Sequence, residues 1–275
     1  MGNPYTFMMN LILLECKQLI RSKWLQIVTI LFVLTFTAVL LIQQLAMPDV
    51  AGFTRQSAAL LNLLLFLLPL FMLTIGAMSI ASDIESGWLN LLRTYPITNG
   101  KYVFTKWIGL FLIFSVMTLL ALSVSLLIGS LFGGITLQWS ILLLIFLMLL
   151  LFTSLGTLTG SLAKNRLHAL AIGLGIWSAI SLIVSYVIMA IGTLIPEHLL
   201  KGFIIVNMHL NPLEWMRFSY FVFTNQSAIL GPAFYEVVKF YDSTIGLFYY
   251  SLFTVLWIIC PLLLATFILK KRGAV

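Results

Sequence analysis

Charge is scarce in this chain, and so are cysteines. Only 8% of its 275 residues are charged, whereas 61% are hydrophobic, which is far from the balance of a soluble globular domain. The two cysteines, Cys16 and Cys260, are too far apart to form a Cys-x-x-Cys motif. Neither a disulfide framework nor a redox or zinc motif is therefore predicted. The composition predicts an integral membrane protein.

Long apolar runs are what the chain has in abundance. A helix needs about 20 consecutive apolar residues to cross the hydrocarbon layer of a bilayer. Six runs meet this requirement: residues 24–45, 58–80, 106–131, 139–162, 168–195 and 245–269. The first run is too long for a signal-peptide core, so we expect it to be retained as a membrane anchor. The predicted fold is all-α, with six transmembrane helices.

Ionisable residues are missing from the interior of these six runs. Away from the edges there is no Asp, Glu, Lys or Arg, and the strongly polar residues are Asn62 and, at an edge, His168. Ion-coupled transporters and many channels place such residues inside the membrane, so both classes are disfavoured. Intramembrane proteolysis would need a nucleophile with a base, paired carboxylates or a metal site. We therefore expect no catalytic residues, no cofactor and no enzymatic activity in this chain.

Lysine and arginine fall mainly on one side of the predicted membrane. Eleven lie on the side that holds both termini: Lys17, Arg21, Lys23, Arg93, Lys101, Lys106, Lys164, Arg166, Lys270, Lys271 and Arg272. Four lie on the other side: Arg55, Lys201, Arg217 and Lys239. The positive-inside rule then predicts a multi-pass protein of the cell (plasma or inner) membrane with both termini in the cytoplasm. The net charge of +7 needs no nucleic acid to explain it.

Two segments outside the spans are predicted to be helical. Residues 1–23 form a cytoplasmic region whose apolar residues recur at helical spacing, which favours a helix in the lipid interface. The alternative is that this helix extends the first span, and Glu15 near the apolar stripe keeps that alternative open. Residues 24–275 form one six-span domain, within which the outer segment 196–244 is predicted to contain short interfacial or bundle-capping helices.

Small residues recur at close-packing spacing on the fourth and fifth spans. They are Gly156 and Gly160 on the fourth span, and Ala171, Gly173, Gly175 and Ala179 on the fifth. Such surfaces allow two helix backbones to approach closely in lipid. Packing within one bundle is the simpler interpretation, and an interface between two copies of the chain is the alternative.

Residues 82–96, SDIESGWLNLLRTYP, stand between the second and third spans. Ser82 followed by Glu85 matches a capping box and predicts that a helix begins at Ser82. Pro96 would end that helix at Tyr95. An apolar face formed by Ile84, Trp88 and either Leu91 or Leu92 would then need the membrane surface or a groove in a partner.

This segment resembles the first cytoplasmic loop of ABC-2 type transporter permeases. The shared string is Asp83-x-Glu85-x-Gly87-x-Leu89-x-Leu91-Leu92-x-x-x-Pro96, followed by Lys106 before the next span. Trp88 and Thr105 depart from the residues usual in that family. The resemblance implies a coupling helix that sits in a groove of a separate ATP-binding subunit. The residues implied in ATPase coupling are Asp83, Ile84, Glu85, Gly87, Trp88, Leu91, Leu92 and Pro96.

A second, shorter string resembles that of NosY-type permeases within this family. It runs from Asn211 to Arg217, NPLEWMR, in the outer segment. The resemblance implies a role in copper-site maturation of nitrous oxide reductase, a second copy of the chain as partner, and an extracytoplasmic protein that docks on the outer loops. The implied docking residues are Asn211, Pro212, Glu214 and Arg217, although Glu214 and Arg217 also fit a simple surface ion pair.

ATP hydrolysis would have to come from another subunit. The chain has no Gly-x-x-x-x-Gly-Lys-Ser/Thr motif, and Gly100-Lys101 lacks the residues that would complete one. His198, Met208, His209 and Met216 in the outer segment are residue types that copper prefers. Methionine is also a common filler of apolar packing, so no metal site is predicted.

Taken with the resemblance, the chain is predicted to be the permease subunit of an ATP-driven transporter. The alternative function is a membrane scaffold that relays the conformational change of an ATPase to an outer protein without passing a substrate. A self-sufficient channel is a third and weaker hypothesis.

Overall fold

The computed structural model describes residues 4–46, 55–95, 97–132, 139–231 and 234–272, and no strand occurs in these ranges. The α-helices are α1 (Pro4–Ile20), α2 (Lys23–Ala46), α3 (Arg55–Glu85), α4 (Trp88–Leu92), α5 (Asn99–Ser130), α6 (Trp139–Leu162), α7 (Arg166–Ser178), α8 (Val184–Gly192), α9 (Glu197–Leu210), α10 (Pro212–Phe223), α11 (Tyr235–Tyr241) and α12 (Thr244–Arg272). A π-helical turn (Ala179–Ile183) joins α7 to α8, and a 3-10 helix (Ser227–Leu230) lies between α10 and α11. The all-α prediction is confirmed.

Within the part of the chain that the structure describes, six helical segments are long and apolar enough to cross a membrane. They are Lys23–Ile42, Ala58–Glu85, Asn99–Ser130, Trp139–Leu162, Arg166–Gly192 and Thr244–Arg272. The prediction of six spans is therefore confirmed. The third of these helices begins earlier than predicted because Thr98 caps it, its side chain accepting a hydrogen bond from the Lys101 amide.

The N-terminal helix α1 is separate from the first span. It ends at Ile20, and α2 begins at Lys23. Two of its residues, Glu15 and Leu19, are buried, and it packs against α5. An apolar set on α1 is exposed: Met9, Leu13, Leu14 and Ile20. These features favour the separate helix over an extension of the first span, and its position in the lipid interface stays a prediction.

Helix α3 lies at the centre of the bundle and packs against α2, α6 and α7. Gly156 and Gly160 of α6 allow the closest approach: a Cβ on them would lie 2.6 Å from the Met72 carbonyl oxygen and 2.7 Å from that of Ala77, respectively. Gly173 of α7 also packs against the backbone of α3. These three glycines therefore serve packing within one bundle. Ala171 and Gly175 instead face outward, and nothing lies within 4 Å of a Cβ on Gly175.

The described helices place the sequence's basic residues mainly at one end of the bundle. We call it the basic end; it contains α1, α4, the first turns of α2, α5 and α7, and the last turns of α3, α6 and α12. Helices α9, α10 and α11 lie at the opposite end, which we call the outer-segment end. There α10 contacts α3 and α6 and is almost entirely buried, with no exposed surface on Trp215 or Met216.

Candidate coupling site at the basic end of the bundle

The segment between the second and third spans begins differently from its sequence-based prediction. Helix α3 continues to Glu85, so Ser82 and Glu85 form its last turn and do not cap a new helix. The capping-box prediction was wrong because the amides that follow Ser82 lie inside α3, where carbonyl groups one turn earlier already accept their hydrogen bonds, so they need no side-chain cap. The chain turns at Gly87, whose φ of 73° is a left-handed conformation that favours glycine. The short helix α4 follows.

The two side chains of the supposed capping box bind the start of α7 instead. The Arg166 guanidinium donates to Ser82 Oγ at 2.6 Å, and the Arg166 amide donates to Glu85 Oε2 at 3.0 Å. Amides in the first turn of a helix have no partner within that helix, so Glu85 satisfies one of them in α7. The end of α3 is thereby tied to the fifth span.

Helix α4 packs one face against the bundle and presents another outward. Leu89 and Leu92 are buried in a small cluster with residues of α5 and α12, namely Tyr102, Val103, Ala265 and Leu269. Arg93 fixes the end of α4, because its guanidinium donates to the Leu269 carbonyl oxygen at 2.7 Å. Leu91 is 50% exposed. Of the two leucines left open as members of the apolar outer face, Leu91 therefore faces outward and Leu92 faces the bundle.

Ile84 and Trp88, the other residues expected in this apolar face, are neither fully buried nor fully exposed. Both pack against the cluster around Leu89. Tyr95 is 53% exposed. Pro96, which the resemblance implies in ATPase coupling, lies outside the described residues.

A buried ion cluster lies directly behind this segment. Lys106 Nζ is 2.5 Å from Glu15 Oε2 and 2.8 Å from Asp83 Oδ2, and the three side chains are between 5% and 8% exposed. Ser79 and Tyr102 complete the cluster: Ser79 Oγ donates to Glu15 at 2.7 Å and Tyr102 OH donates to Asp83 at 2.7 Å. The cluster joins α1, α3 and α5. A charge buried this deeply requires such partners, because an unpaired one would be strongly destabilising.

Sequence reasoning found this cluster only in part. Asp83 was expected to act in coupling and Lys106 belonged to the family string, but Glu15 was considered only as an irregularity in the apolar stripe of α1. That irregularity was the available signal. A carboxylate beside a buried apolar face must either reach water or find a cation, and Lys106 is that cation.

At the outer-segment end, Asn211 connects α10 to the fifth span. Its side-chain amide donates to the Ile180 carbonyl oxygen at 2.6 Å, and its side-chain oxygen accepts from the Leu213 amide at 3.0 Å. Ile180 belongs to the π-helical turn, where the regular hydrogen-bond pattern of an α-helix is interrupted. Asn211 and Pro212 are both buried, so neither is placed to touch an outer partner directly.

Glu214 and Arg217 form an ion pair one turn apart on α10. Arg217 Nη1 is 2.8 Å from Glu214 Oε1, and the side chains are 37% and 20% exposed for Arg217 and Glu214, respectively. Burial raises the pKa of Glu214, although the neighbouring Arg217 acts in the opposite direction. The pair is partly accessible at the outer-segment end.

The residues considered for copper have other partners. Met208 and Met216 are buried in the main hydrophobic core. His209 uses both ring nitrogens, one with the Ile205 carbonyl oxygen at 2.8 Å and one with Tyr241 OH at 2.7 Å. Burial and the nearby Tyr249 raise the pKa of Tyr241. His198 is exposed, and within the described ranges no group of three or more His, Cys, Asp or Glu side chains could hold a metal ion.

Comparisons with known proteins support the resemblance seen in the sequence. The family model described as "ABC-2 family transporter protein" matches residues 9–274. A protein of Pseudomonas aeruginosa named "Probable ABC transporter permease protein NosY" is 30% identical over 210 residues, which cover 72% of this chain and 75% of that protein. A protein of the same name from Stutzerimonas stutzeri is 26% identical over 193 residues, which cover 64% of this chain and 67% of that protein.

Proposed function

The chain belongs to the ABC-2 transporter family, and from this premise we propose that residues 82–96 couple it to a separate ATPase subunit. The chain is a membrane permease subunit of an ABC transporter. A permease must receive the conformational change that ATP binding and hydrolysis cause in the other subunit. The family string in residues 82–96 identifies the segment, and one structural observation supports the role.

That observation is the combination of a fixed helix with an exposed apolar residue. Leu89, Leu92 and Arg93 hold α4 against α5 and α12, while Leu91 is half exposed. A helix held in this way can bind a hydrophobic groove with little loss of conformational freedom, and it can pass a displacement to the spans behind it. The ion cluster of Glu15, Asp83 and Lys106 extends this connection to α1.

The orientation follows from the same assignment. The ATPase must lie in the cytoplasm, so we place the basic end there, together with both termini. The excess of lysine and arginine at that end supports this orientation independently.

We also propose that the permease works as a homodimer, with the fifth span at the interface. The most apolar stretch of Arg166–Gly192 has no buried residue within one chain. The outward face of the fifth span carries Ala171 and Gly175, which would let a second helix approach closely.

At the outer-segment end we propose that an extracytoplasmic protein docks beside α10. Glu214 and Arg217 are accessible enough to contact it. Asn211 and Pro212 would act indirectly, because they fix the start of α10 against the fifth span. From the NosY-type resemblance of residues 211–217 we also propose a role in copper-site maturation of nitrous oxide reductase. The similarity to two proteins named NosY supports the resemblance. A cargo that contains sulfur would need no metal ligands in the permease.

A scaffold that transmits movement without passing a substrate is the second candidate. The buried α10, linked by Asn211 to the fifth span, offers a route by which movement of the spans would reach the outer segment. Substrate-stimulated flux in vesicles that contain the whole complex would identify a transporter. ATP-dependent change at the outer segment without flux would identify a scaffold.

Purification from the native membrane in mild detergent tests the coupling proposal. We expect a protein with a nucleotide-binding motif to be retained in a stoichiometric amount. Recovery of the permease without such a protein, under conditions that preserve other ABC complexes, would contradict it.

A further inference from the structure

A cavity with a mixed polar and apolar lining opens at the basic end beside the buried ion cluster. Its volume is ≈ 490 Å³, within the range of small-molecule sites in proteins. Side chains from α1, α2, α3, α4, α5 and α7 line it, together with Ser22 and Ser86 from the turns between helices. The coupling function gives the ion cluster a role, but it does not account for an open cavity beside the cluster.

The charges in the cavity are separated by depth. Its inner part contains the carboxylates of Glu15 and Asp83 and the single ammonium of Lys106, all nearly inaccessible. Two acids and one base leave a formal charge of −1 there. The outer part contains the Arg166 guanidinium, which is 58% exposed. Arg166 donates to Ser82 through one nitrogen, and its Nε lies 3.9 Å from Glu85 Oε2 in an ion pair between two exposed side chains. A guanidinium has five N–H donors in all, so donors remain for an anion.

This arrangement fits a zwitterion with its cation inside and its anion outside. An ammonium group would compensate the excess negative charge of the inner carboxylates. A phosphate would bind the Arg166 guanidinium, which matches phosphate geometry, and the hydroxyls of Ser82 and Ser86 lie in the same lining.

The surroundings indicate that this zwitterion is a lipid headgroup. Trp24 lines the cavity and is 61% exposed, and Trp88 also lines it. Tryptophan is enriched at the level of lipid headgroups. Apolar side chains continue the lining: Leu19, Ile75 and Met78. A free zwitterion would make no use of them, whereas the glycerol and upper acyl region of a lipid would.

We propose that this cavity binds the headgroup of phosphatidylethanolamine. Ser79, Lys106 and Tyr102 occupy both oxygens of Glu15 and Oδ2 of Asp83, whereas Asp83 Oδ1 accepts no hydrogen bond from the described residues. The primary ammonium has an N–H donor for this oxygen, and the quaternary ammonium of phosphatidylcholine has none. The headgroup of phosphatidylglycerol has no cation and would be repelled by the inner carboxylates. The site shares Asp83 and Trp88 with the proposed coupling segment, but every residue in it belongs to this chain, so lipid binding can be measured without the ATPase subunit.

Native mass spectrometry of the purified full-length permease tests the proposal without a partner subunit. Phosphatidylethanolamine, phosphatidylcholine and phosphatidylglycerol of matched acyl chains are added in detergent, and the retained lipid is counted. We expect phosphatidylethanolamine to bind about tenfold more tightly than either other lipid, as expected for one charge-assisted hydrogen bond. Equal retention of the ethanolamine and choline lipids would overturn the proposal.

Arg166→Gln provides the matching variant, with Lys164→Gln as its control. Both changes remove one exposed positive charge at the same end, but only Arg166 lines the cavity. Arg166→Gln is expected to weaken phosphatidylethanolamine binding about tenfold, and Lys164→Gln is expected to leave it unchanged. An equal loss in both variants would indicate general attraction to charge and would overturn the site.

Soluble O-phosphoethanolamine separates the lipid from a free zwitterion. Failure of this compound to displace the lipid at millimolar concentration is the expected result. Displacement, with Arg166-dependent binding of the soluble compound itself, would overturn the assignment to a lipid.

Discussion

Lys106 Nζ lies 2.5 Å from Glu15 Oε2, although the two residues are 91 positions apart in the chain. The same ammonium is 2.8 Å from Asp83 Oδ2, in the last turn of α3. One buried cation thus connects the N-terminal helix, the helix that precedes the coupling segment, and the third span. We expect this connection to be important both for stability and for the transmission of movement.

Replacement of Lys106 by Gln tests the stabilising role. Glu15 and Asp83 would be left buried without their cation, and loss of one partner of a buried pair costs about 3–5 kcal/mol of unfolding free energy. The measurement is the thermal unfolding of the purified permease in detergent. Lys101→Gln is the control, because Lys101 is exposed on the same helix. If both variants unfold at the wild-type temperature, the cluster is not a stabilising element.

Replacement of Gly160 by Val tests the close packing of α3 against α6. The added Cβ would lie 2.7 Å from the Ala77 carbonyl oxygen, which is too close for any real contact. We expect a loss of about 1–3 kcal/mol from overpacking, measured as a lower melting temperature. Gly202→Val is the matched control, since Gly202 is an exposed helical glycine and a Cβ there meets nothing within 4 Å. An unchanged melting temperature for Gly160→Val would show that the two helices are not held this closely.

A substitution at Gly175 tests the proposed homodimer. Gly175→Leu would place a large side chain on the outward face of the fifth span without disturbing the single chain. We expect the purified permease to change from dimer to monomer, as measured by light scattering with the detergent mass subtracted. Retention of the dimer would place the interface on another surface.

The pKa of Glu214 predicts a dependence of stability on pH. Burial raises this pKa in the folded protein, so the folded state binds the proton more tightly than the unfolded state does. The stabilisation is complete below the ordinary pKa of about 4.5 and is lost as the pH rises through the raised value. The melting temperature of the wild type relative to Glu214→Gln should therefore fall across this interval.

Glu197→Gln, which changes an exposed acid at the same end, is the control for this experiment. It should not reproduce the pH-dependent difference. A difference between wild type and Glu214→Gln that rises with pH would mean that Arg217, rather than burial, dominates the environment of Glu214.

The spans were predictable because a bilayer imposes length and hydrophobicity on each helix separately. The short helices α9 and α10 of the outer segment followed from similar local reasoning. The start of the coupling segment was not predicted correctly, because Ser82 and Glu85 match a local capping pattern while the end of α3 and the contacts with Arg166 depend on the tertiary structure.

Other features depend on contacts between distant parts of the chain. Glu15 can be buried because Lys106 of α5 forms an ion pair with it. Asn211, at the start of the buried α10, bonds the π-helical turn at Ile180, 31 residues earlier in the chain. No pattern within a single window of sequence specifies these pairings, although the departure of Glu15 from an apolar stripe was a usable signal.

The most direct test of the account is the amount of ATPase subunit that co-purifies with the Leu91→Asp permease. Leu91 is half exposed on α4, so the change should preserve the fold while it destroys the apolar contact with the partner. Leu194→Asp, at an exposed leucine of the outer-segment end, is the control. With both variants melting like the wild type, the account predicts loss of the ATPase from Leu91→Asp and full retention by Leu194→Asp. Stoichiometric ATPase on Leu91→Asp would contradict the assignment of residues 82–96 as the coupling segment.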